Sequence, residues 1–374
     1  MTYRGHVMSG LVRTLPGAYY TSEAMLREEA DRIFARRWVC VGRAGRVPSP
    51  GDYVLAEVAG ESLIVVRGGD GAVRAFYNVC RHRGTRLCEQ PAGRFGGSIQ
   101  CPYHAWTYGL DGTLIGAPHM AGAEWFSRAE YPLHEAAAAE WEGFVFVNLA
   151  DRPVRLETSM APLLGKLTRW RLPELQAAHR IEYDVRANWK LFFQNFSECY
   201  HCPRIHPELI RLSDYRSGAN DLVEGPILGG YMSIEREGGS LTLSGAAACA
   251  QPLPGLRPED QERVYYYSVF PNLFLTLLPD YAMWHMLEPL APDRTRITCE
   301  WLFAPDAPEA GTKDAVAFWD VTNKQDWHVC ELAQQGVSSR AYTPGPYAVQ
   351  ESLLAAFDRE LLAALSRSGF GGEE

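Results

Sequence analysis

The feature that most constrains this chain is a pair of short ligand motifs, Cys80-Arg-His82 and Cys101-Pro-Tyr-His104, with eighteen residues between them. Each offers one thiolate and one imidazole, and each is bounded by a chain-turning residue, Gly84 after the first and Pro102 within the second. Short spacings of this kind let two tight loops present their ligands to one centre. A structural zinc site also uses two cysteines and two histidines. Zinc fingers, however, pair Cys with Cys and His with His along the chain, whereas here each loop carries one of each. Coincidental burial would leave unexplained why four ligand-type residues fall in two loops of a β-rich region. A [2Fe–2S] centre with cysteines on one iron and histidines on the other fits the pattern, and its imidazoles raise the cluster potential.

The surrounding texture is that of a small β domain. Tyr53–Val58, Ser62–Arg67 and Ala72–Asn78 read as strands separated by turns such as Gly68-Gly69-Asp70-Gly71. Further strands are expected at Thr107–Tyr108, Thr113–Ile115 and Gly143–Asn148, with Asp111-Gly112 as a hairpin turn. This places an all-β domain at 45–150. Before it, Ser22 can cap a helix over Thr21–Trp38. After it, Asp151–Arg155 reads as a linker, Ser159–Trp170 and Trp189–Tyr200 as helices, and Ile181–Ala187 as a strand. The stretch from 217 to 250 reads as irregular, a surface or lid segment. Four strands between Tyr265 and Phe303 and two long helices, Lys313–Gln335 and Gln350–Ser366, complete an α+β second domain of residues 1–44 and 151–374.

Composition excludes some functions. A net charge of −9 argues against a nucleic-acid partner, because phosphate binding needs concentrated positive charge. No run of 18 apolar residues suggests a membrane span, and Met1–Thr14 lacks the apolar core of a signal peptide. Nine cysteines, an odd number, fit ligating and buried thiols in a reducing, cytoplasmic setting better than a disulfide framework.

A second constellation lies in the second domain. Glu198-Cys-Tyr-His201 is followed by His206, directly before Pro207. Two histidines so close at a helix end can face one ion, and a carboxylate would complete the facial triad of non-haem Fe(II) oxygenases. Spacing alone does not choose among Asp320, Asp326 and Glu331 on the helix over 313–335.

The run Asn78-Val-Cys80-Arg-His82-Arg-Gly84 with Cys101-Pro-Tyr-His104-Ala-Trp106 resembles the Rieske domain of ring-hydroxylating-type non-haem iron oxygenase alpha subunits. Asn188-Trp189-Lys190, Glu198 to His206, and Asn323-Lys-Gln-Asp326 resemble the mononuclear iron motif of the same family. The resemblance implies a helix-grip-like catalytic domain with an antiparallel sheet beside the Rieske domain. It further implies a [2Fe–2S] cluster on Cys80, His82, Cys101 and His104, and Fe(II) on His201, His206 and Asp326. Glu198 then stands where most members have the Asp that links one subunit's cluster histidine, here His104, to a neighbour's iron in a head-to-tail homotrimer. Electrons would come from an NAD(P)H-dependent flavin/iron–sulfur reductase, since no G-x-G-x-x-G fingerprint stands between a strand and a helix here.

Glu198, together with Cys330-Glu-Leu-Ala-Gln-Gln-Gly336 and Gly345-Pro-Tyr347, resembles the subgroup that oxidises choline, carnitine, glycine betaine and proline betaine. An aromatic cage would hold the methylammonium group, with Tyr281 and Trp284 as expected walls and Tyr265–Tyr267 nearby. The expected reaction is hydroxylation or oxidative N-demethylation with O2. Two alternatives stand beside it: mono- or dioxygenation of an aromatic ring, and an electron-transfer Rieske protein without a working iron site.

Overall fold

Alternating apolar side chains from Asp52 to Tyr77 fold as three antiparallel strands, Asp52–Val58, Glu61–Arg67 and Val73–Tyr77, in register Val54↔Val65 and Ile64↔Phe76. The computed structural model describes residues 12–366, so most of the Met1–Thr14 stretch lies outside the described residues. The chain divides into two compact units, Ile33–Ser159 and a second built from residues up to Arg32 and from Met160 onward.

The first unit holds a seven-stranded antiparallel sheet and a three-stranded one, Ser98–Gln100, Thr107–Gly109 and Leu114–Gly116. It begins earlier than the expected residue 45. Val39–Arg43 is buried at every position and pairs with the equally buried Phe144–Asn148, which makes it one edge of the larger sheet. Ile64, Phe76, Ile99, Trp106 and Tyr108 form a core around Cys80 and Cys101.

The second unit is organised by a seven-stranded antiparallel sheet. Its strands run in the order Gln176–Val185, Arg294–Phe303, Ala282–Ala291, Leu273–Leu277, Arg263–Val269, Ile227–Ser233, Ala219–Leu222. The long helix Glu309–Val337 buries Phe318, Trp319, Thr322, Asn323, Trp327, Cys330 and Gln334, a stripe at helical spacing. It packs with the helix Trp189–Phe196, which in turn packs with Ser352–Ser366.

Two expectations are corrected here. Ser159–Trp170 is not one helix but short 3₁₀ turns, Ala161–Leu163 and Leu167–Trp170, because Pro162 and a left-handed Gly165 interrupt it. The region 217–250 is not wholly irregular, since it contributes the strands Ala219–Leu222 and Ile227–Ser233. Its glycines are there for close approach. A Cβ at Gly229 would sit 2.0 Å from the Tyr266 carbonyl oxygen, and one at Gly230 would sit 2.0 Å from that of Ala219.

A buried polar network fixes the helix Trp189–Phe196. Asn188 caps it, accepting from the Lys190 N–H at 3.1 Å and donating to the carbonyls of Tyr20 and Pro292. Lys190 and Glu29 form an ion pair of 2.5 Å with neither side chain exposed, and the Trp189 indole donates to the other Glu29 oxygen at 2.8 Å. Breaking one partner of such a pair leaves an uncompensated buried charge and costs about 3–5 kcal/mol. Asp358 belongs to the same region, accepting from Gln194 at 3.2 Å and from the Tyr347 hydroxyl at 2.7 Å. Burial pushes its carboxyl up to about 6, against the lowering effect of those two donors. Below the unfolded value both states are protonated and the benefit is complete. As pH rises through about 6 the folded chain must ionise a buried acid, and the benefit is lost. Urea titrations of the chain and of Asp358→Asn should therefore diverge between about pH 4 and 7, with the native chain losing about 3 kcal/mol relative to the variant. Parallel pH profiles would show that Asp358 is ionised throughout.

Candidate metal centres

In the first unit, two loops with different sequences adopt the same backbone closure. The Cys80 N–H donates to the Thr85 carbonyl at 2.8 Å and the Gly84 N–H returns to the Cys80 carbonyl at 3.0 Å. At the same offsets, Cys101 donates to Trp106 at 2.8 Å and Ala105 to Cys101 at 3.1 Å. The fifth residue of each loop is left-handed, Gly84 at φ 74° and Ala105 at φ 56°. For alanine that conformation costs roughly 1–2 kcal/mol, so Ala105, rather than Pro102, is where the second loop turns. Asn78 pins the first loop from beneath. Its Oδ1 accepts from the N–H groups of Leu87 and Cys88, at 3.0 and 2.9 Å, and its Nδ2 donates to the Cys88 carbonyl at 2.7 Å. Cys88 itself is buried in the domain core.

The loops bury Cys80 and Cys101 and leave His82 and His104 on the outer side, with ring centroids 4.8 Å apart. The Tyr108 hydroxyl lies 3.3 Å from Cys80 Sγ, as a donor to a thiolate would, while accepting from the Arg81 N–H at 3.1 Å. His104 Nδ1 is buried with no hydrogen-bond partner among the described residues. Such an orphan costs about 1–3 kcal/mol, and ligation removes the cost. Inner sulfurs, outer imidazoles and an unpartnered ring nitrogen fit a [2Fe–2S] cluster of mixed ligation.

In the second unit the helix Trp189–Phe196 ends five residues before His201, and the short helices Cys202–Ile205 and Pro207–Leu212 flank His206. The long helix brings Asp326 to them. His201 Nε2 lies 3.2 Å from His206 Nε2, and Asp326 Oδ1 lies 2.9 Å from the second and 3.3 Å from the first. Edges of about 3 Å are what three ligands about 2.1 Å from one ion make when they meet at right angles. The other ring nitrogens are held from outside, His201 Nδ1 by Glu198 Oε1 at 2.5 Å and His206 Nδ1 by Gln325 Oε1 at 2.8 Å. Protons on both Nδ1 atoms turn both Nε2 lone pairs toward the centre. Burial opposes charge at this spot. Asp326 and Glu198 nevertheless hold His201 up to about 10, and the two histidines hold Asp326 down to about 2. Without metal, a proton supplies the positive charge that the three donors require, and a divalent iron fits the same place.

The competing carboxylates point elsewhere. Asp320 accepts from Tyr183 and Lys324, and Glu331 from the Arg186 N–H. Cys199 and Cys202 form a disulfide, with Cα atoms 5.0 Å apart, where the cysteine count had favoured thiols throughout. This is one local closure around His201, and seven cysteines are free. Cys202 Sγ lies 3.9 Å from His201 Nε2, but its bond to Cys199 removes it as a thiolate ligand.

A pocket opens on this centre, walled by the rings of Phe196, Tyr215, Tyr231, Tyr266, Trp319 and Trp327. Its charged lining is Glu198 and Asp326, with His201, His206 and His285 as its imidazoles; no Arg or Lys is among its described lining residues. Tyr281 and Trp284, the expected walls, do not line it. Trp284 pairs with Leu275 and Glu300, and period-two alternation puts it on the opposite face from the pocket-lining Met283 and His285. Tyr281 stands one layer back, its hydroxyl donating to the Leu241 carbonyl at 2.5 Å and accepting from the Trp319 indole at 2.7 Å. Of the run Tyr265–Tyr267 only Tyr266 faces the pocket. Gln325 was missed as well. Its only sequence signal is a polar side chain next to a candidate ligand.

Two family descriptions match this chain: Rieske [2Fe-2S] domain over residues 37–132, and ring hydroxylating alpha subunit (catalytic domain) over residues 172–367. The glycine betaine monooxygenase oxygenase subunit of Chromohalobacter salexigens is 32% identical over 372 residues, covering 89% of this chain and 81% of its own. A quaternary ammonium Rieske monooxygenase solved in complex with L-carnitine has a TM-score of 0.79 at 25% identity, over 95% of this chain and 96% of its own. Naphthalene 1,2-dioxygenase from Rhodococcus shares the fold, with a TM-score of 0.78 at 21% identity over 95% of each chain.

Because Gln325 orients His206, Gln325→Leu should weaken iron affinity about 10- to 100-fold, measured by chelator competition, with the visible absorbance of the cluster unchanged. Undiminished iron affinity would mean that packing alone sets the ring.

Proposed function

The chain belongs to the family of ring-hydroxylating alpha subunits, the catalytic subunits of Rieske non-haem iron oxygenases, and on that premise we propose that its substrate is a small quaternary ammonium compound. Its cofactors are a Rieske [2Fe–2S] cluster and a mononuclear iron. The observation that carries the substrate reading is the pocket itself: six aromatic rings with no Arg or Lys among the described lining residues. A permanent cation cannot be hydrogen-bonded or deprotonated, so ring faces and fixed negative charge are the means left to hold it. A desolvated cation–π contact contributes about 2 kcal/mol or more. The names of the similar glycine betaine and carnitine enzymes support the same class.

Bound iron supplies the activation of O2, fed one electron at a time by the cluster. The chain's own residues do the rest. His201, His206 and Asp326 would hold the iron, and Glu198 and Gln325 fix the two rings. The aromatic walls exclude water and would hold a methyl group beside the three ligand residues. Oxidation of that methyl consumes O2, two electrons and two protons, giving an N-hydroxymethyl group and water. The N–C bond then breaks to release formaldehyde, a proton and the tertiary amine.

In this reading Glu198 also serves as a bridge to the His104 of a neighbouring subunit in a head-to-tail homotrimer. Supporting it, Glu198 Oε1 is already on the outer nitrogen of an iron ligand, and Oε2 accepts from the N–H groups of Tyr200 and His201, so the carboxylate is fixed in place. The electron donor is an NAD(P)H-dependent flavin/iron–sulfur reductase. No described helix is long and apolar enough to cross a membrane. The free thiols and the need for reductant support a cytoplasmic setting.

With reductase, NAD(P)H and O2, the holoenzyme should release formaldehyde from N-methyl quaternary ammonium compounds and leave naphthalene untouched. Turnover of arenes alone would overturn the substrate class. Glu198→Gln should slow reoxidation of a pre-reduced cluster by about 10- to 100-fold in a single turnover while iron and cluster stay bound. An unchanged rate would remove Glu198 from the electron path.

A further inference from the structure

The pocket wall formed by the sheet carries polar atoms that no described residue satisfies. The Tyr266 hydroxyl, Thr276 Oγ1 and His285 Nδ1 are each buried without a hydrogen-bond partner among the described residues, and all three residues line the pocket. Their strands place them on one face. Tyr266 stands directly across from Thr276, Thr276 across from Met283, and His285 two residues beyond Met283 on the same side. Thr276 is fully buried and His285 is 2% exposed. Buried polar groups are nearly always paired, so three orphans on one wall of a ligand pocket point to a polar group that arrives with the ligand.

The character of the orphans says which group. Asn323 Nδ2 donates to Cys299 Sγ, which leaves its Oδ1 to accept from His285 Nε2–H at 3.3 Å. His285 Nδ1 is then a bare acceptor. Burial pushes this imidazole down to about 4, so it is neutral at physiological pH and does not repel a cation. The Tyr266 and Thr276 hydroxyls both donate and accept. An alcohol complements this set, because its O–H can donate to His285 while its oxygen accepts from Tyr266 or Thr276. A carboxylate does not: it would face the lone pair of His285, and no Arg or Lys among the described lining residues is there to pair with it.

We propose that Tyr266, Thr276 and His285 form a hydroxyl-binding subsite, making the preferred substrate a quaternary ammonium alcohol rather than a carboxylate-bearing betaine. This rests on the quaternary ammonium reading above. The subsite anchors one end of the molecule by directed hydrogen bonds, and the rings hold the other end by an undirected attraction. Together they decide which methyl group faces the iron.

The test is equilibrium binding to anaerobic, iron-loaded holoenzyme, followed by calorimetry, with choline, glycine betaine and ethyltrimethylammonium as probes. Choline should bind at least tenfold more tightly than either of the others. Tyr266→Phe and Thr276→Val, which remove one hydroxyl each at nearly constant shape, should weaken choline about 5- to 30-fold and leave ethyltrimethylammonium unchanged. If glycine betaine binds most tightly and loses affinity in the variants, the subsite takes a carboxylate and the proposal is overturned. It is overturned as well if the ammonium probes bind but neither variant discriminates among them. Binding of none of the three, ethyltrimethylammonium included, would instead sink the underlying ammonium reading.

Discussion

Two imidazole nitrogens and a carboxylate oxygen within about 3 Å of one another repel unless a positive charge sits among them, and the second unit is arranged around forcing that convergence. Each ligand comes from a separately braced element. The helix before His201 is held by the Asn188 cap and by the Glu29–Lys190 pair, neither side chain of which is exposed. Asp326 comes from a 29-residue helix whose buried stripe packs inward. The outer nitrogens are fixed by Glu198 and Gln325, so the rings cannot rotate away to relieve the repulsion. A site strained in this way would bind a divalent cation by exchanging a proton for a metal, not by reorganising.

The same electrostatics shape what can enter. With iron bound, its charge balances Glu198 and Asp326, so the pocket offers no described Arg or Lys to pair with an anion and six ring faces to hold a fixed positive charge. The aromatic walls add attraction without direction, so orientation must come from the few polar atoms on the sheet face. The first unit solves a different problem. Its two loops repeat one backbone closure at Cys80 and Cys101, which buries sulfur and exposes imidazole. A cluster held there would have its histidine side open to electron exchange.

How much of this could be read in the sequence follows from how local each feature is. Cys80, His82, Cys101 and His104 lie in loops closed by their own hydrogen bonds, so spacing carried nearly all the information. His201 and His206 are similarly close along the chain. Asp326 was one of three carboxylates on a helix, and only the tertiary contact separates it from Asp320 and Glu331, which bind other partners. The pocket walls were the least legible. Which of Tyr265, Tyr266 and Tyr267 faces inward, and that Trp284 faces away, depends on strand parity and register set by neighbours far along the chain. Gly229 and Gly230 read as loop because the close approach that demands them is visible only when the adjacent strands are in place. The Cys199–Cys202 bond was hidden for a related reason, since counting cysteines speaks to compartment, not to two sulfurs brought together by one turn.

The central claim is that one chain holds both a mixed-ligand cluster and a separate iron. Iron and acid-labile sulfide per chain, with an EPR spectrum of the dithionite-reduced protein, test it most directly. The account predicts about three irons and two sulfides, with the low average g value of mixed His/Cys ligation. Zinc in place of iron, with no sulfide and no such signal after anaerobic reconstitution, would contradict it.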